Sequence, residues 1–222
     1  MTGDVTLQVW QVPMRDVAAA VVAAAVTARR LRRRRDVLFT KVLGTASARF
    51  VPAAATPRRW AVLTRWAGEP DPSPFAWWDG HADDTVRLSL RTLTARGSWD
   101  GRAPFVPDAS SRWDGRLVAL TRASLRPSRA VTFYRAVPAI ACELRAAAGC
   151  RAAFGVGEAP VLRQGTVSVW ESADAMRAFA HGSPRHAEAV RVTPRERWYA
   201  EEMFVTFALL HTEGSLDAPV LR

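Results

Sequence analysis

The sequence predicts an α+β fold made of two fused β-α-β-β-α-β repeats, on three observations. Segments with a hydrophobic period of two alternate with segments of helical spacing. The same order of six elements is read twice along the 222 residues. Landmarks also recur at nearly constant offsets: Gly44 and Gly155 stand 111 residues apart, Trp66 and Trp170 stand 104 apart, and Gly97 and Gly214 stand 117 apart. Small loop insertions account for the differences between these offsets.

The first repeat opens with the alternating strand VTLQVWQV (Val5 to Val12). A helix from Arg15 to Arg34 follows, then a strand through DVLFTKVLGTA and another over Arg58 to Ala67. A short helix carries FAWWDG, and the strand Val86 to Trp99 closes the repeat. The second repeat runs through a strand at Arg116 to Leu125, a helix from Ser128 to Ala148 kinked at Pro138, and strands at CRAAFGVG and GTVSVWES. A broken helix over Ala173 to Val192 and a strand over Glu201 to Gly214 complete it. Each half is a ferredoxin-like motif, with helices on one face of a four-stranded sheet. The bare faces of two such halves, 1–112 and 113–222, can cover each other in one compact unit like a dimeric α+β barrel. A large ligand then has two places to bind: between the sheets, or between a sheet and its helices.

Composition narrows the function classes. The net charge is +10, but 30 of the 31 basic residues are arginine and most are scattered. No nucleic-acid motif surrounds the one run, RRLRRRR at Arg29 to Arg35, so nucleic acid is not an expected partner. That run follows the apolar helix VAAAVVAAAVTA, where cations complement the helix dipole and can touch anionic lipid. The apolar stretch is too short to span a bilayer. Cys142 and Cys150 have neither zinc nor disulfide spacing and read as partly buried thiols of a cytoplasmic protein, one that can be peripheral to a membrane. No dinucleotide, P-loop, zincin, nucleophile-elbow or haem-attachment motif is present.

Four stretches, FTKVLGT (Phe39 to Thr45), ARGSWDGRAPF (Ala95 to Phe105), RHAEAVR and WYAEEMF (within Arg185 to Phe204), resemble the spheroidene monooxygenase family. The resemblance runs from about Val37 to Gly214. It implies a haem-containing monooxygenase that adds oxygen to acyclic carotenoids, fed by an external electron donor. A same-fold haem enzyme of another pathway, a haem- or lipid-binding module and a cofactor-free oxygenase are the alternatives. Oligomeric state is left open.

The resemblance makes His186, the histidine of RHAEAVR, the expected haem ligand. Ser183 caps the helix that Pro184 begins, and His186 lies on its first turn beside apolar residues. Glu201 or Glu202 then serves as partner to the second imidazole nitrogen. His211 is the second candidate, because the alternation Phe207, Leu209, His211 aims it at the core. His181 and His81 read as surface residues. Lys41, the only lysine, sits inside a strand and is the candidate catalytic residue, able to anchor a propionate or polarise oxygen. Arg58 and Arg65, with Arg59, are candidate propionate partners, since a guanidinium grips a carboxylate through two hydrogen bonds.

Overall fold

The computed structural model describes residues 5–47, 50–51, 54–107, 112–159 and 161–221, apart from the side chains of Ala159, His186, Val190, Pro194 and Pro219. Its elements are β1 (Val5–Gln11), α1 (Val17–Arg32), β2 (Val37–Ala46), β3 (Ala55–Trp66), α2 (Ala76–His81) and β4 (Asp84–Gly97). They are followed by β5 (Leu117–Leu125), α3 (Ala130–Ala146), β6 (Cys150–Ala159), β7 (Arg163–Trp170), α4 (Ala173–Gly182), α5 (Pro184–Glu196) and β8 (Tyr199–Glu213). The predicted broken helix is α4 and α5, while α3 runs on through Pro138.

The eight strands close into a barrel in the order β1-β3-β2-β6-β7-β5-β8-β4. The first four run β4-β1-β3-β2 and the last four run β8-β5-β7-β6, which is one ferredoxin-like order used twice. Closure leaves no exposed sheet edge. At the β2–β6 seam Gly44 pairs with Gly157, Thr45 with Val156 and Ala46 with Gly155. An offset of 111 exchanges the outer two pairs, so the sequence repeat is a pseudo-two-fold axis through this seam. Gly97 and Gly214 end β4 and β8 with φ of +90° and +86°. A Cβ on either would lie 2.1 Å from the Glu202 carbonyl oxygen or 2.6 Å from that of Thr85, so both positions need glycine.

Alternate residues of every strand fill the barrel. Leu7, Leu43, Leu63, Leu90, Leu120 and Phe207 surround a void of only ≈ 10 Å³, too small for a ligand. The segment Leu216 to Leu221 joins this core at one end, where Arg59 donates to the Val220 carbonyl at 2.8 Å. Trp99 and Phe105, from the loop after β4, plug the other end.

The outward faces of the two halves differ. On the first, Trp10, Trp66, Trp78 and Phe75 pack under α1, whose buried stripe is Ala20, Ala23, Ala24, Thr27 and Leu31. Small helix residues let the backbone approach, and the indoles fill the space. Their N–H groups are satisfied by Thr6 (2.9 Å from Trp66), Thr27 (3.0 Å from Trp78) and Asp79 (2.8 Å from Trp10). The second face carries more small residues, among them Ala119, Thr121, Ala153, Gly155, Thr166 and Ser168, around a smaller cluster of Leu117, Leu144 and Trp170. Here α3 packs on β6 and α4 on β7, while α5 rests mainly on α3 and α4. No residue of α4 is fully buried.

Candidate functional site

Three of the four stretches that carry the family resemblance meet at the barrel end plugged by Trp99. β2 supplies Lys41, the loop after β4 supplies Trp99 and Asp100, and β8 supplies Glu201. Arg122 of β5 and Glu158 of β6 complete the cluster. All four strand residues stand at inward-facing positions, in step with Leu43, Leu120, Val156 and Met203.

The charges alternate around the plug. Lys41 pairs with Asp100 and Glu158, and Arg122 pairs with Glu201 and reaches Glu158 at 3.5 Å and Asp100 at 3.8 Å. Both cations lie near the Trp99 ring, with Lys41 Nζ 5.5 Å and the Arg122 guanidinium 5.3 Å from its centroid. Its indole N–H donates to Glu158 at 3.0 Å. Glu201 clamps the loop backbone, accepting from Gly101 N–H at 2.7 Å, Asp100 N–H at 3.2 Å and the Ser98 hydroxyl at 2.8 Å. Burial pushes the Glu201 carboxyl up, but the Gly101, Ser98 and Arg122 hydrogen bonds outweigh it and hold the group down at about 2. Arg65 secures the same loop through the Pro104 carbonyl at 2.6 Å.

Beside this cluster, a cleft of ≈ 320 Å³ opens along the β2–β6 seam, within the range of small-molecule sites. Its walls include Thr45, Phe50, Arg59, Trp60, Glu158 and Gln164. Glu158 belongs to both the cleft and the charge cluster. Gln164 is held by the Tyr134 hydroxyl of α3, at 2.9 Å. The paired glycines Gly44 and Gly157 leave the middle of the cleft floor without a side chain.

The predicted site residues are dispersed. Lys41 and Arg65 come together at the Trp99 loop, each committed to groups of the chain. Arg58 lies apart, donating to the Val12 carbonyl at 2.8 Å and to Asp83 at 3.0 Å. Arg59, its neighbour on β3, lines the cleft. The expectation that His211 faces the core fails: β8 has a register shift between the pairs Leu90–Leu209 and Ser89–His211, and this bulge turns Leu210 and His211 out to solvent. His181 is exposed, and His81 stacks on Trp77 with its Nδ1 2.8 Å from the Trp77 carbonyl. His186 sits on α5 by its backbone, and its side chain lies outside the described residues. Glu201 is not placed to serve it, being held inside the barrel end, and Glu202 takes the outward alternate position. At the start of α5, Glu143 of α3 accepts from the Ser183 hydroxyl and from Arg185 N–H at 3.1 Å. Cys142 is exposed rather than partly buried.

Arg122 and Glu158 escaped the sequence reading. Arg122 is one of 30 arginines, and only its inward position after Val118 and Leu120 marks it. Glu158 has the same signal after Phe154 and Val156.

No family model matches the chain. A spheroidene monooxygenase of Rhodobacter capsulatus is 35% identical over 188 residues, covering 81% of this chain and 78% of that protein. The spheroidene monooxygenase of Rubrivivax gelatinosus is 47% identical over 134 residues, 60% of this chain and 51% of its own length. That of Cereibacter sphaeroides is 30% identical over 187 residues, 81% and 58% of the two chains. The chain thus spans little more than half of the latter two. Among solved structures, an aldoxime dehydratase in complex with butyraldoxime aligns with a TM-score of 0.62 at 8% identity, over 93% of this chain and 79% of that one. A second aldoxime dehydratase gives 0.57 at 10% identity, over 94% and 82%. These two share the fold of the chain.

Proposed function

The chain belongs to the spheroidene monooxygenase family, and on that premise we propose that it adds one oxygen atom of dioxygen to an apolar polyene of the carotenoid type, using haem and an external electron donor. The observation that carries this reading is the 35% identity with the Rhodobacter capsulatus spheroidene monooxygenase across 188 residues. The convergence of Lys41, Trp99 and Glu201 supports it, because three separate stretches of the family resemblance serve one structure.

The residues present fit a planar prosthetic group only on the second repeat. The first outward face is filled by Trp10, Trp66 and Trp78, and the barrel interior is solid. The second face offers the small residues Ala119, Ala153, Gly155 and Thr166, beside a cluster in which α3 and α4 pack on Leu117 and Trp170. His81, His181 and His211 are exposed, and His186 on α5, the histidine of the RHAEAVR stretch, is the imidazole donor of this reading. Of the three arginines, Arg59 is the one that lines the cleft, where it also donates to the Val220 carbonyl, and it is the propionate partner of this reading. When bound, haem supplies the iron that binds and activates dioxygen.

The chain's own residues would bind, orient and keep dry. Phe50, Trp60 and Val156 give the cleft apolar walls for a polyene. Gln164, fixed by Tyr134, and Glu158, fixed by Lys41 and Trp99, are among the polar groups of the cleft. The Lys41–Glu158–Arg122–Glu201 cluster holds these walls rigid.

Adding haemin to the purified protein tests the haem component. The expected result is a Soret band that saturates at one haemin per chain. A protein that takes up none would overturn haem dependence and favour the cofactor-free oxygenase.

A further inference from the structure

The outward side of α1 is unusual. A surface helix normally turns charged and polar residues to water. Here the buried stripe faces the sheet, and the opposite side carries Ala18, Ala19, Val21, Val22, Ala25 and Val26, all exposed. Val21 is 55% exposed, Val22 64% and Val26 41%, and Met14 just before the helix is 66% exposed. A helix of 16 residues is about 24 Å long, so this apolar strip covers more than half of it. An exposed patch of this kind marks an interaction surface.

The last turn of the helix and the residues just after it are cationic. Arg29, Arg30, Arg32, Arg33 and Arg35 are described and have no carboxylate partner among the described residues. Their neighbour Arg34 does have partners, bonding Asp36 at 2.6 Å and Asp71 at 2.7 Å. No acidic residue occurs between Val17 and Arg35.

We propose that α1 lies in the interface of an anionic lipid surface, with Val21, Val22 and Val26 among the acyl chains and the arginine cluster on the headgroup phosphates. Apolar area combined with cations on one helix is the chemistry that such a surface selects. A second copy of the chain fits worse, since it would bring another uncompensated arginine cluster to the interface. Nucleic acid fits worse still, because most of the face offers nothing to a phosphate. The inference does not depend on the proposed enzymatic activity. It adds a place where an apolar substrate can be collected.

The test is flotation of the full chain with vesicles of phosphatidylcholine, with and without phosphatidylglycerol, across a salt series. Binding is expected only with phosphatidylglycerol and should weaken as salt rises. Arg29→Gln and Arg30→Gln should each weaken it about five-fold. Joint replacement of Val21, Val22 and Val26 by Ser should weaken it by about ten-fold or more. All these side chains are exposed, so circular dichroism of the variants should match the parent. Four results would overturn the proposal: no binding to anionic vesicles, equal binding to neutral ones, a dimer that the valine replacements dissociate in a protein that ignores vesicles, or tighter binding to duplex DNA than to vesicles at physiological salt. None of these readouts involves turnover, so the anchor and the enzymatic reading can fail separately.

Discussion

Arg122→Leu is expected to destabilise the fold by about 3–5 kcal/mol in urea titration, because it removes one partner from a buried charge cluster. The Arg122 side chain is only 3% exposed and pairs with Glu201, Glu158 and Asp100. Without it, Glu201 loses its ion-pair partner, Lys41 is the remaining cation beside Glu158 and Asp100, and Trp99 loses one of its two nearby cations. Arg122→Lys should recover only part of the loss, since a single ammonium cannot reproduce the forked contacts to Glu158 and Glu201. The same cluster predicts a pH dependence. Glu201 has an ordinary value of 4.5 and is held at about 2 in the folded chain. A depressed carboxyl contributes its full stability above the unfolded value and loses it as pH falls through the folded one. Stability should therefore decline between about pH 4.5 and 2, and Arg122→Leu should flatten that decline. An Arg122→Leu protein with parental stability and an unchanged acid limb would remove the cluster from the account.

His186→Ala is expected to abolish the haem spectrum, or shift it strongly, while His211→Ala and His181→Ala leave it unchanged. His211 and His181 are exposed, and His81 is stacked on Trp77. A merely structural role for His186 would change stability but not the band. Imidazole added to His186→Ala should partly restore the spectrum, because it fills the space the side chain leaves. A native band in His186→Ala would place the ligand elsewhere.

Much of the fold was legible because repeats and periodicity are local signals. Gly44 and Gly155 marked the β2–β6 seam, and Gly97 and Gly214 marked the strand ends where φ turns positive. The site was less legible. Lys41 stood out as the only lysine, but its partners Asp100 and Glu158 are 59 and 117 positions away, and only barrel closure brings them together. His211 was misjudged because strand alternation assumes no bulge, and the register shift at Leu210 reverses it. The apolar run before the arginines was visible in the sequence, but only packing shows which side the sheet covers: Ala20, Ala23, Ala24, Thr27 and Leu31 are buried, while Val21, Val22 and Val26 stay exposed.

The proposed activity is monooxygenation of an apolar polyene. The direct measurement is turnover of an acyclic carotenoid under isotopically labelled dioxygen, with an electron donor and haemin supplied. The account predicts a product whose new oxygen carries the label. A protein that binds the polyene and leaves it unchanged, or a product whose oxygen comes from water, would contradict it.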